Sequence, residues 1–312
     1  MLTLGLGRYG CYKCSRVFLF GPLPRPSRQR VGWRLLVQNH KSVNGLRNRC
    51  QGQVRPAPGY NAGMPASLSD KAALRGEPSY VWRAGQERRL SMISAAAPRL
   101  TSRSRVLENG CGVGMYLGPL GRALQTPLIY GLEYEFERAE RAGQGQGARR
   151  VVCGAGEQLP YPDGCFDVVL SNEVIEHVQD DRQALAEMAR VLRPGGRLVL
   201  FCPNRWYPVE THGVYWRGQY QFGNIPLVNY LPDRWRNRLA PHVRAYTAHG
   251  LRKLLASLPL RIVRHTRIFG GYDNVIARLG LPGRLIRAGL YAAEKTPLNV
   301  LGLSHLLVAE KL

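Results

Sequence analysis

The chain has 312 residues, 45% of them hydrophobic, enough for one large α/β domain with insertions and a sizeable core. No run approaches about 18 uninterrupted apolar residues, so no transmembrane helix is expected. The formal charge of +23 admits nucleic acid, anionic lipid or an anionic small molecule as partner, although 38 Arg against 6 Lys also fits the coding bias of a GC-rich genome.

Residues 1–63 hold 11 Lys and Arg and no Asp or Glu, show no sustained period, and are rich in Pro, Gly and Arg. They read as a disordered basic leader. An acid-free leader fits a mitochondrial transit peptide, a nucleic-acid or membrane arm, or upstream DNA translated from an early start codon. Met64 offers a plausible true beginning and favours the last. Cys11-x-x-Cys14 has no second pair at ligand spacing, so no metal is expected. The odd total of seven cysteines, four of them in strands or turns of the core, argues for a reducing, cytoplasmic compartment.

Residues 64–100 form an N-terminal helical segment, with Trp82, Leu90 and Ile93 near one face. From Ser104 the pattern alternates between strands and helices. Strands are expected at Val106-Leu107, Leu128–Leu132, Arg150–Cys153, Phe166–Leu170 and Arg197–Phe201. An amphipathic helix from Asp181 to Leu192 is stopped by Arg193-Pro-Gly-Gly196. This is the order of a doubly wound parallel sheet. Residues 203–246 break the rhythm. Thr247 then looks like an N-cap before Leu251, Leu254, Leu255 and Leu258. Ile262–Ile268 and His305–Ala309 read as closing strands around a second insertion, 271–302.

Glu108-Asn-Gly110-Cys-Gly112-Val-Gly114 follows a strand and opens a helix. The dinucleotide fingerprint G-x-G-x-x-G is not met, because Met115 stands where its last glycine belongs. A carboxylate two residues before the first glycine would repel a pyrophosphate and suits a ligand carrying an ammonium group. Glu133 ends the second strand, 21 residues after Gly112, where an acidic side chain can accept hydrogen bonds from both ribose hydroxyls.

With these residues in hand, the chain resembles the class I S-adenosylmethionine-dependent methyltransferases. Glu108-x-Gly-x-Gly-x-Gly114 is similar to their first motif and Gly131-Leu-Glu133 to their second acidic strand end. Gly154–Tyr161, Phe166-Asp-Val-Val169, Asn172–Val178 and Val191–Gly196 are similar to the later motifs, in order. The similar branch is the small-molecule group called type 11, which includes quinone-biosynthesis enzymes. The resemblance covers 100–204 strongly and 247–312 loosely.

It implies a Rossmann-like, mostly parallel seven-stranded sheet with an antiparallel last strand, over a domain of 101–312. It implies S-adenosylmethionine as cofactor, held by Glu108, Gly110, Gly112, Gly114, Glu133, Tyr134, Gly156, Glu157 and Asn172. The family's usual Asp after the third strand is replaced by Ala155, so Gly156 and Glu157 are assigned the adenine side.

In such a fold the acceptor lies at the ends of the fourth and fifth strands. Glu173 and His177 are the catalytic candidates there, although packing on the sheet is the favoured reading of His177. His212, Tyr215, His242 and His249 are rival bases. Nine aromatics and six arginines between 203 and 246 read as a substrate lid, with Tyr207, His212, Tyr215, Trp216 and Trp235 facing the acceptor. The expected acceptor is a small hydrophobic or lipid-linked molecule, with peripheral membrane contact. An RNA methyltransferase is the alternative raised by charge. Ser171-Asn-Glu-Val174 lacks the [DN]-P-P-[YFW] pattern of base amino methylation, which disfavours nucleic acid. A nicotinamide oxidoreductase is disfavoured by the glycine spacing, and a non-catalytic binding domain by the intact motifs.

Overall fold

The computed structural model describes residues 19–20, 81–145 and 150–312. Apart from Leu19–Phe20, the expected leader lies outside the described residues, as do Cys11, Cys14, Cys50 and residues 64–80. Leu19–Phe20 form a two-residue strand, β1. Helix α1 runs over Ala84–Ala96 and buries Leu90, Ile93 and Ala96. Trp82 meets the ring of Tyr116 edge-on at 5.1 Å.

The alternating region then gives β2 (Arg105–Asn109), α2 (Leu117–Ala123), β3 (Leu128–Glu133), α3 (Phe136–Gln144), β4 (Val151–Cys153), β5 (Phe166–Asn172), α4 (Asp181–Val191) and β6 (Leu192–Pro203). Asp180 caps α4, its side chain accepting from the Gln183 amide at 2.9 Å.

Residues 203–246, expected to be irregular, contain two small hairpins. Strand β7 (Val209–Glu210) pairs with β10 (Ile225–Pro226), and β8 (Val214–Trp216) with β9 (Gln219–Gln221). Helix α5 (Asp233–Leu239) follows. Thr247 caps α6 (Ala248–Leu255), accepting from the Gly250 amide at 3.0 Å. Strand β11 (Leu260–Ile268), helices α7 (Asp273–Leu279) and α8 (Leu281–Ala293), and β12 (Ser304–Lys311) complete the chain.

The main sheet has the order β1-β4-β3-β2-β5-β6-β12-β11. The five strands β4, β3, β2, β5 and β6 run parallel, and β12 is antiparallel to both β6 and β11. The seven expected strands are therefore present with the last one reversed. The two-residue β1 adds an eighth, antiparallel to β4.

Both faces of the sheet are covered, which is why its strands read as continuous apolar runs. Val106, Val168, Leu170, Val199 and Phe201 face α1, α2 and α3. Leu107, Val169, Leu198 and Leu200 face α4 and α6. Each fully buried Val, Leu or Phe contributes roughly 1.5–3 kcal/mol. The alternation also aligns the C-terminal ends of β2, β3 and β5 along one edge, where the site lies.

Candidate active site

The glycine loop joins β2 to α2 with three residues in the left-handed region, at φ 79° for Gly110, 55° for Gly112 and 84° for Gly114. Space forbids a side chain at two of them. A Cβ on Gly110 would lie 2.3 Å from Val174, and one on Gly114 would lie 3.1 Å from Ala142. The loop is tied to the second strand end, because the Gly112 amide donates to Glu133 Oε2 at 2.8 Å. The Glu135 amide donates to Glu133 Oε1 at 3.0 Å. Each oxygen keeps a lone pair for a ribose hydroxyl.

Beside this loop Glu108 is buried, and its Oε2 has no hydrogen-bond partner. Burial, and then the charge of Glu133, push its carboxyl well above the usual range. Both polar atoms of the Asn109 side chain and the hydroxyl of Ser171 are likewise buried without partners. Three unsatisfied polar groups at adjacent strand ends are what a polar ligand would satisfy. The amino, carboxyl and ribose groups of S-adenosylmethionine fit this donor and acceptor set.

The other candidates lie around the same edge. Tyr134 follows Glu133, and its carbonyl accepts from the Cys153 thiol at 3.6 Å. Gly156 backs onto Asn109, whose Nδ2 would be 3.1 Å from an added Cβ. Glu157 Oε1 accepts from the Gln179 amide at 2.8 Å, which ties the loop after β4 to the turn after β5.

Asn172 and Glu173 end β5, and both are held by a residue that sequence reasoning missed. Arg89 of α1 donates to Asn172 Oδ1 at 2.5 Å and to Glu173 Oε1 at 2.7 Å. The Ser304 hydroxyl donates to the same Glu173 oxygen at 2.6 Å. Burial pushes the Glu173 carboxyl up, but Arg89, Ser304 and His212 outweigh it and hold it below the ordinary value. Glu173 also sits at φ 56°. The geometry makes it an anchored anion, poorly placed to take up a proton.

His177 lies in the turn after β5, outside any helix, and its ring centroid is 5.4 Å from that of His212. Burial, with His212 and His242 nearby, lowers its pKa to about 3. The imidazole is therefore neutral at pH 7 and weakly basic. His242 is lowered to about 4, first by burial. Tyr215 stacks at an angle on Tyr220 and meets His242 edge-on at 5.6 Å. His249 lies in the first turn of α6.

The five lid residues divide. His212 and Tyr215 turn inward to this cluster, whereas Trp216 and Trp235 are 53% and 59% exposed. The Tyr207 hydroxyl meets that of Tyr272 at 3.4 Å, joining the two insertions. The lid is anchored by a second pair missed in the sequence. Arg236 donates to Glu210 Oε2 at 2.9 Å and to the Val243 carbonyl at 2.8 Å. A buried Arg in a basic surface helix carries no periodic signal. Asn109 could have been found, since a polar residue ending a buried strand inside a glycine motif is itself unusual.

Residues 107–200 match the family described as a methyltransferase domain. A probable chloroplastic tocopherol O-methyltransferase of Oryza sativa subsp. japonica is 34% identical over 164 residues, 48% of this chain and 42% of that protein. Demethylmenaquinone methyltransferase of Deinococcus radiodurans is 35% identical over 120 residues, 37% of this chain and 50% of that protein. The chain thus spans half or less of these relatives. The crystal structure of an S-adenosylmethionine-dependent methyltransferase from Mesorhizobium loti shares the fold, with a TM-score of 0.52 at 18% identity. That match covers 73% of this chain and 98% of the other.

Proposed function

We propose that this chain uses its class I S-adenosylmethionine-dependent methyltransferase domain to methylate a small hydrophobic or lipid-linked acceptor beneath residues 203–246. The observation that carries the reading is the set of unsatisfied buried groups on Glu108, Asn109 and Ser171, beside the anchored carboxylate of Glu133. When bound, the cofactor supplies an already activated methyl group on a sulfonium. The residues around it then have three tasks. Glu108 takes the ammonium, Glu133 takes the ribose hydroxyls, and Asn172, Glu173 and Arg89 hold the far wall rigid. Alignment and exclusion of water do the rest. His177 is neutral and serves as base only for an acceptor that gives up its proton easily.

The acceptor class is argued from the cap. Trp206, Trp216, Phe222, Leu227 and Trp235 are exposed in the first insertion, and Leu281, Leu285 and Leu298 in the second. Arg284 and Arg287 lie on the same helix, α8. Apolar groups rimmed by arginine suit the interface of an anionic bilayer, from which a lipid-linked acceptor would enter. The relatives named for tocopherol and demethylmenaquinone support the same class. Among the described residues no helix is long and apolar enough to cross a membrane. Cys111, Cys153, Cys165 and Cys202 are free thiols, which supports a reducing, cytoplasmic setting.

The test is transfer of labelled methyl to fractionated lipid, metabolite and RNA extracts. Label should enter the organic-soluble fraction and respond weakly to salt. Label in RNA with a steep salt slope would overturn the reading in favour of a polynucleotide.

A further inference from the structure

Three side chains from two separate stretches of the chain meet in one cluster. Glu176 and His177 belong to the turn after β5, and His212 to the bend after β7. One ligand-capable atom from each lies within 4.8 Å of the other two. Glu176 is 1% exposed, and neither of its carboxylate oxygens has a hydrogen-bond partner. His177 Nδ1 is also buried and unpartnered.

The third residue is already oriented. His212 Nδ1 is hydrogen-bonded to Glu210 Oε1 at 3.0 Å, and Glu210 is fixed in turn by Arg236 at 2.9 Å. A carboxylate on one imidazole nitrogen sets the tautomer and leaves the other nitrogen as a lone-pair donor, the arrangement found behind metal-bound histidines. A buried carboxyl group whose two oxygens have no hydrogen-bond partner leaves lone pairs free for a ligand at that spot. Two imidazole nitrogens and one carboxylate are a nitrogen and oxygen ligand set with no thiolate. That set suits a divalent transition metal better than calcium or magnesium.

We infer that Glu176, His177 and His212 bind one divalent transition-metal ion of the zinc class, a role that occupies the His177 lone pair and takes it out of use as a base. Three protein ligands leave a coordination position open, as in sites that present a metal to a small molecule. His212 is 20% exposed, so the cluster is not wholly sealed from solvent. The expectation of no metal rested on the lone Cys11-x-x-Cys14 pair. Glu176 and His177 are adjacent and His212 follows 35 positions later, a spacing with no familiar pattern. The inference does not depend on methyl transfer, and metal content and labelled-methyl transfer fail separately.

The experiment uses the full chain, purified without a polyhistidine tag, stripped with a chelator and titrated with Zn2+, Co2+, Mn2+ and Mg2+ by calorimetry. Visible absorption of the Co2+ form reports the ligand type. Saturable binding of about one Zn2+ per chain is expected, with Mg2+ far weaker and cobalt bands typical of nitrogen and oxygen ligands. Glu176→Gln and His212→Ala should each weaken Zn2+ binding at least about tenfold, and Glu210→Gln, which acts through His212, by about 10–100-fold. Glu176→Gln keeps the side-chain volume, and His212→Ala removes a partly exposed ring, so circular dichroism should be unchanged. Absence of saturable binding, a thiolate-to-cobalt band, or wild-type affinity in a folded His212→Ala variant would overturn the inference.

Discussion

The alternating core of residues 104–203 and the cap formed by 203–246 and 271–302 are built on opposite terms. In the core every strand is covered on both faces, and its polar residues gather at one edge. In the cap the strands are two or three residues long, α7 buries no side chain at all, and large apolar groups face outward. The cap is held by a few polar anchors: Arg236 to Glu210, Asn204 to the Val300 and Gly302 carbonyls, and Tyr207 to Tyr272. A region secured by point anchors can move as a unit, whereas the core can only stay closed or unfold. The proposed function would use that division, with a fixed edge for the cofactor and a more loosely held cover for the acceptor.

Substitutions sharpen the contrast in descending order of effect. Gly112→Val should abolish S-adenosylmethionine binding with the fold retained, because a β-branched residue resists the positive φ at the cofactor loop. Calorimetry with the cofactor and with its demethylated product checks this. In the core, Leu170→Ala should cost about 2–5 kcal/mol of stability in denaturant unfolding. Glu133→Ala should weaken cofactor binding by about 1.5–3 kcal/mol, and unchanged affinity would move the ribose contact elsewhere.

At the seam between core and cap, His265 donates to His305 at 3.0 Å, and His305 donates to the Tyr246 carbonyl at 2.8 Å. Burial lowers His305 to about 4, and burial with His305 and Arg252 lowers His265 to about 3. The unfolded chain, with ordinary imidazoles near 6.5, binds more protons than the native chain in this range. Stability contributed by the neutral pair should therefore fall as pH drops from about 6.5 toward 4. A flat melting temperature across that window would count against the pair. In the cap, Trp216→Ala and Trp235→Ala should change stability by no more than about 0.5 kcal/mol while slowing acceptor turnover. Normal turnover in both variants would reduce the lid to a cover.

The legible parts share one physical cause. Strands β2 to β6 could be located because burial on both faces demands short apolar runs, and glycine loops interrupt them. Strand β6 begins earlier than expected, at Leu192, because Leu192 already pairs with Phe166; Arg193-Pro-Gly-Gly196 then bulges out, with Gly195 at φ 74°, and pairing resumes at Arg197. The gathering of Glu108, the glycines and Glu133 at one edge was legible, because their spacing follows from one strand–loop–helix unit. Arg89, Glu176 and Glu210 were not, because their significance is a meeting of residues far apart in the chain. Glu210 pairs with Arg236 across 26 positions and Arg89 with Glu173 across 84. The insertion 203–246 was marked out by composition alone. Composition could not separate inward His212 and Tyr215 from outward Trp216 and Trp235.

The reversed strand β12 also has a consequence for biosynthesis. It lies between β6 and β11 and pairs with both, yet it is the last strand of the sheet to leave the ribosome. At about 5–20 residues per second, the roughly 100 residues between β6 and β12 take about 5–20 s to be made. During that interval one edge of β6, with Leu198, Val199, Leu200 and Phe201, stands open and unpaired. An apolar strand edge of this kind invites pairing with other chains. Until β12 arrives the nascent chain carries an open strand edge, and slow codons placed between the two strands would lengthen its exposure.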